Sequence, residues 1–419
     1  DDAGMEKIYE KFRDAKVDGL FVPHCNFGTE YEVCRLAKKL NVPVLLWGPR
    51  DECPDENGMR LRDSQCGLFA TGKVLRRFGI PFTYLKNCNL EDECFAEGID
   101  RFLRVCNVVK AFRNTRVQIS TRPFDFWSTM CNEGELLEKF GIQLSPIPMP
   151  ELTQAMKDVK ENSPEEIKEV TDYCREKMCI KVTPEQLDNV AALKIAMTRL
   201  GKKYGCNCGA IQCWNALQDE IGIMPCAANA LCNDEGFPIA CETDIHGTIT
   251  SVLVEAAAMG ETRSFFADWT VRHPYNDNAE LLQHCGPWPI SIAKEKPTID
   301  TPVAFDCSGS LMAQAKDGEH ISLVRFDGDN GEYSLLLGNA KTVDGPYTKG
   351  TYMWVEVENL DRLEDKLVQG PYIHHCVGVH QDVVPVLYEA CKYIGVTPDL
   401  YDPIEEKVKA IIRGEKVEK

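Results

Sequence analysis

At 419 residues the chain exceeds the size at which a single hydrophobic core keeps growing, so two or three domains are expected. It carries 65 acidic against 47 basic residues, a net charge of −18, with no Lys/Arg block or basic aromatic stripe, which excludes nucleic acid from the expected partners. No apolar run is long enough to span a bilayer and no signal-peptide pattern opens the chain; the 20 scattered cysteines, without a Cys-x-x-Cys, suit small hydrophobes in a reducing cytoplasm.

The numbering opens without Met, directly in a helical pattern (Met5, Ile8, Phe12) that leads into GLFVP. Over 1–112, short apolar strands (GLFVP, VPVLLWG, PFTYL) alternate with amphipathic helices at 30–40 and 67–78, the pattern of a doubly wound parallel sheet. Such a sheet ordinarily has a strand before its first helix, so an initial strand and helix are expected to lie outside this numbering. No G-x-G-x-x-G is present, which argues against a bound dinucleotide.

A second α/β domain, 113–285, begins with RVQIS. Ser163, Pro164 and Glu166 read as a capping box with proline in the first turn, and Thr183, Pro184 and Gln186 repeat the signal. Leu187, Val190, Leu193, Met197 and Leu200 form the buried stripe of the helix that follows. Cys206, Cys208 and Cys213 are the densest thiol cluster, but their spacing matches no tetrahedral zinc set.

The run FPIACE reads as a buried strand ending near Glu242. Ile249, Val252, Leu253 and Ala256 give the next helix one apolar face, Gly260 suits its C-terminus, and SFFAD supplies a second strand ending at Asp268. Strand, helix and strand make a parallel βαβ unit, which would aim both carboxylates at the crevice beyond the strand ends. The plainer alternative is that acidic residues end strands because strands end at the surface. Asp244 reads as the N-cap of the helix, with support of the neighbouring carboxylates as its second possible role. Cys241 is an unpromising nucleophile, since adjacent carboxylates raise a thiol pKa.

After His284 the texture changes to short strands between Gly, Pro and Asp turns (TPVAFDC, GEHISLVRFDG, GEYSLLLGNAK, TYMWVEV), expected as a small antiparallel barrel or sandwich over 286–419. The chain then passes through the doublet His374-His375 to a helix at 383–393. The fold class is therefore α/β: two doubly wound parallel domains followed by a small antiparallel β-barrel. Histidine beside two carboxylates makes a hard, oxygen-rich site suited to Mn²⁺ or Mg²⁺, and it would sit at a domain junction.

At these residues the chain resembles the L-fucose isomerase and L-arabinose isomerase family of aldose-ketose isomerases. The resemblance rests on CETD opening a helix, the FFADW strand, HCG at 284–286, and GPYIHHCVGVHQD followed by a helix and YIGV, together spanning about 210–396. It implies a divalent cation (Mn²⁺, Mg²⁺ or Co²⁺) held by Glu242, Asp268 and His375. It also implies Glu242 and Asp268 as the acid/base pair of an ene-diol mechanism, and Gln212 and His374 as substrate contacts. His284 is a possible additional ligand, as in the arabinose isomerase branch. The resemblance further implies a free sugar such as L-fucose or D-arabinose as substrate and a closed homo-oligomer, a hexamer or trimer. Where the family carries an aromatic before a Gly-Ser/Thr-Glu signature, this chain reads Cys25, Asn26, Phe27, Gly28, Thr29, Glu30, a departure that bears on which sugar is used. Two rivals stand beside this reading. One is a non-catalytic sugar-binding protein stacking Trp47, Trp127, Trp214 or Trp288 on a sugar; the other is an epimerase or hydratase using the same enediolate.

Overall fold

The computed structural model describes residues 2–124, 126–302 and 306–417, which form two compact units. Among the described residues no helix is long and apolar enough to cross a membrane. The first unit comprises the chain up to Lys110 together with 384–396 and 403–419. At its centre three parallel strands, Leu20–Pro23, Val44–Trp47 and Thr83–Tyr84, pair in that order. Val44–Trp47 is buried along its length, as a parallel strand covered on both faces must be. The helix Val384–Ile394 belongs to this unit, although it was expected with the barrel. Its buried Glu389 accepts a hydrogen bond from Thr83 Oγ1 at 2.6 Å, and Tyr393 OH donates to the Val44 carbonyl at 3.1 Å.

The second unit, Ala111–Val383 with Thr397–Asp402, combines a parallel sheet and a barrel. Its four parallel strands run in the order Gln143–Pro146, Arg116–Ile119, Cys208–Ala210, Ile239–Ala240. The helix Pro184–Tyr204 starts with the expected capping box: Gln186 N donates to Thr183 Oγ1 at 3.2 Å and Thr183 N to Gln186 Oε1 at 3.0 Å. All five residues of its predicted stripe are buried. The box expected at Ser163 does not form. There Arg199 donates to Ser163 Oγ at 2.8 Å and pairs with Glu166 at 2.5 Å, a charged donor outcompeting the backbone amides.

Six antiparallel strands close the barrel in the order Glu332–Val343, Ile321–Asp329, His375–Val379, Phe265–Arg272, Ala279–His284, Thr351–Glu356, the last pairing back to the first. GEHISLVRFDG, GEYSLLLGNAK and TYMWVEV contribute as expected. TPVAFDC supplies no barrel strand, and its residues 303–305 lie outside those described.

The parallel βαβ reading is corrected. The strand Phe265–Arg272 does not pair with Ile239–Ala240; it enters the barrel, antiparallel to both neighbours. The apolar run SFFA carries no alternation to distinguish the two placements. Phe265 and Ala267 pack in the barrel core with Trp288 and Leu323, so the alternate residues Phe266 and Asp268 face the other way. The helix Ile245–Ala257 packs on strands of both the parallel sheet and the barrel, so it is buried nearly all round and not on one face alone.

Candidate active site

Beyond the strand Ile239–Ala240 the backbone makes an unusual turn: Glu242 (φ 54°) and Thr243 (φ 52°) are both left-handed, although neither is glycine and Thr243 is β-branched. Each such residue costs of order 1–3 kcal/mol and persists only when its surroundings over-determine it. They do so here. Thr129 Oγ1 donates to the Glu242 carbonyl at 3.1 Å, Thr243 N to the Ile211 carbonyl at 3.1 Å, and Thr243 Oγ1 to the Thr121 carbonyl at 2.9 Å. The turn brings the Glu242 side chain into the interior, only 6 % exposed, and starts the helix, for which Asp244 Oδ1 is the N-cap, accepting from Gly247 N at 2.9 Å.

The other groups come from three adjacent barrel strands. Asp268 is the register partner of His375 on one side and of Gln283 on the other, next to His284. His375 Nε2 lies 3.0 Å from Glu242 Oε2 and 3.5 Å from Asp268 Oδ1; His284 Nε2 lies 3.8 Å from Glu242 Oε1 and 3.8 Å from Asp268 Oδ1. Glu242, Asp268, His284 and His375 thus meet within one unit of the fold, at the junction of sheet and barrel. Gln212, just past the strand Cys208–Ala210, accepts from Thr121 Oγ1 at 2.7 Å beside the Glu242 turn. The exposed His374 ring meets that of His375 edge-on, with centroids 4.4 Å apart.

Asp244 fills both roles considered for it. Its Oδ2 accepts a hydrogen bond from His375 Nδ1 at 2.8 Å, and Arg325, fully buried, clamps it by bonds from Nη1 and Nη2, the latter 3.1 Å to Oδ1. Arg325 Nε also reaches Asp327 Oδ2 at 2.9 Å, and Asp327 Oδ1 meets His246 Nδ1 at 2.9 Å. Arg325 and Asp327 were missed in the sequence; an arginine inside the apolar run SLVRF was the available signal.

The electrostatics follow from burial opposed by partners. Burial works against ionisation of Glu242, but His284 and His375 hold its carboxyl well below the usual range; Asp244 is held lower by Arg325 and then His375. Burial alone would depress both imidazoles. The Asp244 and Glu242 carboxylates instead raise His375 to about 10, while Asp268 and then Glu242 raise His284 to about 9. The site therefore draws positive charge strongly.

The donor set fits a divalent cation. Asp268 Oδ1, His284 Nε2 and His375 Nε2 are buried with no aligned hydrogen-bond partner, the 3.0 Å approach of Glu242 to His375 included, and all three converge on one point. Glu242, His284 and His375, and likewise Asp268, His374 and His375, bring one ligand atom each within 4.8 Å of one another, so the cluster could hold a metal ion. Trp47 and Trp288 are buried, 3 % and 1 % exposed, which removes them as sugar-stacking platforms. Trp214 packs against Phe126 in a tilted arrangement, centroids 5.0 Å apart, and Phe126 in turn lies 5.9 Å from His375.

The family described as the N-terminal domain of fucose/sulfoquinovose isomerases matches residues 1–113. Over 405 residues the chain is 24% identical to a sulfoquinovose isomerase of Priestia aryabhattai, covering 95% of this chain and 88% of that protein. It is likewise 24% identical over 357 residues to a sulfoquinovose isomerase of Alkalicoccus urumqiensis, covering 84% and 79%.

Proposed function

Since this chain belongs to the fucose isomerase-like family and is an isomerase, we propose that it interconverts a free aldose and its ketose through an enediolate, using a divalent cation held by Glu242, Asp268 and His375. The observation that supports this reading best is the convergence of Asp268 Oδ1 and His375 Nε2, both without an aligned hydrogen-bond partner, beside the buried Glu242 carboxylate. A divalent ion, Mn²⁺ or alternatively Mg²⁺ or Co²⁺, supplies Lewis-acid polarisation of the carbonyl when bound.

The chain's own residues do the rest. Glu242 and Asp268 form the acid/base pair: one takes the C2 proton as the enediolate forms and returns it to C1, while the proton leaving O2 is made up at O1, so the ketose carries the same hydrogens as the aldose. Asp268, whose side chain is 26% exposed, is the more open of the two, whereas Glu242 is fixed by its strained turn. Asp244 and Arg325 hold His375 in the tautomer that presents the Nε2 lone pair. Gln212 and His374 line the approach as substrate contacts.

L-fucose, D-arabinose and L-arabinose are substrates to test, joined by sulfoquinovose from the names of the relatives. The protein is incubated with each sugar and Mn²⁺ in D₂O, and ketose formation and deuterium at C1 are followed by NMR. Ketose with solvent deuterium supports the reading; no ketose from any of the sugars, or a product epimerised without carbonyl migration, refutes it. The homo-oligomer is part of the same proposal, read as mass in solution.

A further inference from the structure

We propose that His284 serves as a hydrogen-bond donor through Nε2 to a substrate oxygen and is not a ligand of the cation. This deepens the isomerase reading and rests on it.

The two imidazoles of the site are held in opposite tautomers by what their Nδ1 atoms meet. At His375, Nδ1 lies 2.8 Å from Asp244 Oδ2, a carboxylate oxygen with no hydrogen to give, so Nδ1 carries the proton and Nε2 presents a lone pair. At His284, Nδ1 accepts the backbone N–H of Cys285 at 2.9 Å. That nitrogen's lone pair is engaged, so the ring proton resides on Nε2. Offering a lone pair from Nε2 would require moving the proton to Nδ1, where it would face the Cys285 N–H and leave that part-buried amide without this acceptor.

The Nε2–H of His284 therefore points into the site with nothing to bond. Glu242 Oε1 and Asp268 Oδ1 each lie 3.8 Å away, beyond hydrogen-bond range, and no other acceptor is present among the described residues. The ring is 2 % exposed and flanked by Phe266, centroid to centroid 5.3 Å, which fixes its aim. A preorganised donor of this kind suits the oxygen that gains negative charge as the C2 proton leaves. His284 keeps its proton throughout: the carboxylates move the proton between C2 and C1, and the imidazole N–H only strengthens its hydrogen bond as charge develops.

The test combines three measurements on the full chain. Mn²⁺ binding is titrated by EPR of the free ion for the parent, His284→Ala, His284→Gln and His375→Ala. The expected result is affinity within about threefold of the parent for both His284 variants and at least ~10-fold weaker for His375→Ala. Turnover of His284→Ala falls ~10²–10³-fold in kcat, with partial recovery in His284→Gln, whose amide N–H can donate. In ¹⁵N-histidine protein loaded with Mg²⁺, the His284 ring shows a protonated Nε2 and an unprotonated Nδ1, which needs neither a variant nor a substrate. A loss of Mn²⁺ affinity in His284→Ala matching that of His375→Ala, a protonated Nδ1, or undiminished kcat overturns the proposal. Failure to turn over any sugar would sink the isomerase reading while leaving the metal titration and the tautomer to answer the present question.

Discussion

Replacing Asp244 by Asn is the most informative single perturbation of the site. The change keeps volume and the N-cap, since Asn accepts the Gly247 N–H as well as Asp does, so the helix start should cost only a few tenths of a kcal/mol. What it removes is the charge opposite a fully buried guanidinium and the obligate acceptor of the His375 Nδ1 proton. Breaking a buried ion pair costs about 3–5 kcal/mol; because Asp327 still pairs with Arg325 at 2.9 Å, the lower end, ~3 kcal/mol, is expected. Removing Arg325 as well restores charge balance, so Asp244→Asn/Arg325→Met should cost less than the sum of the two single changes by about 2 kcal/mol. The amide can also turn its NH₂ to His375, shifting the ring proton to Nε2 and lowering divalent-ion affinity ~10–100-fold. Urea unfolding of the parent, both single variants and the double, with Mn²⁺ titrations on each, measures these effects. An Asp244→Asn protein that loses under 1 kcal/mol and binds Mn²⁺ as the parent does would refute the reasoning.

Glu242→Gln should lose at least ~10²-fold in turnover with unchanged circular dichroism, as removal of a general base does; retained activity would defeat its assignment. Gly247→Ala would place a Cβ 2.5 Å from the Phe266 ring and 2.6 Å from Asp244 Oδ2, so both stability and activity should fall; a variant with the parent's Tm and kcat would contradict the packing. Glu280 is raised to about 7 by burial and then Glu364. Its neutral form favours the fold fully below about pH 4 and that contribution disappears as pH rises through 7, so the Tm of Glu280→Gln relative to the parent should climb between pH 5 and pH 8. A constant difference across that range would count against the burial argument.

Local signals were legible where one physical cause dominates. Thr183 and Gln186 cap a helix because both partners lie within four residues, and the apolar stripe from Leu187 to Leu200 follows from helical period alone. Glu242, Asp268 and His375 could be named through the resemblance, but the geometry that unites them could not. The run SFFA fits a parallel strand and a barrel strand equally, and the choice is made by distant partners at Ala279–His284 and His375–Val379. At Ser163 the local cap signal lost to Arg199, a donor 36 residues away. The left-handed pair Glu242 and Thr243 had no sequence signature at all, since neither side chain favours positive φ.

The register that sets Asp268 beside His375 makes the order of assembly matter. The groups converge from a turn after one sheet and from strands separated by more than a hundred residues, so no cation pocket exists until the segment His375–Val379 has slotted between its two barrel neighbours. An ion captured there would act as a clasp across that seam, adding its binding free energy to the closed form alone. Because side chains alternate along a strand, a one-residue slip of this segment would present His374 inward and turn His375 away, so metal uptake reports whether the barrel has locked in its native register.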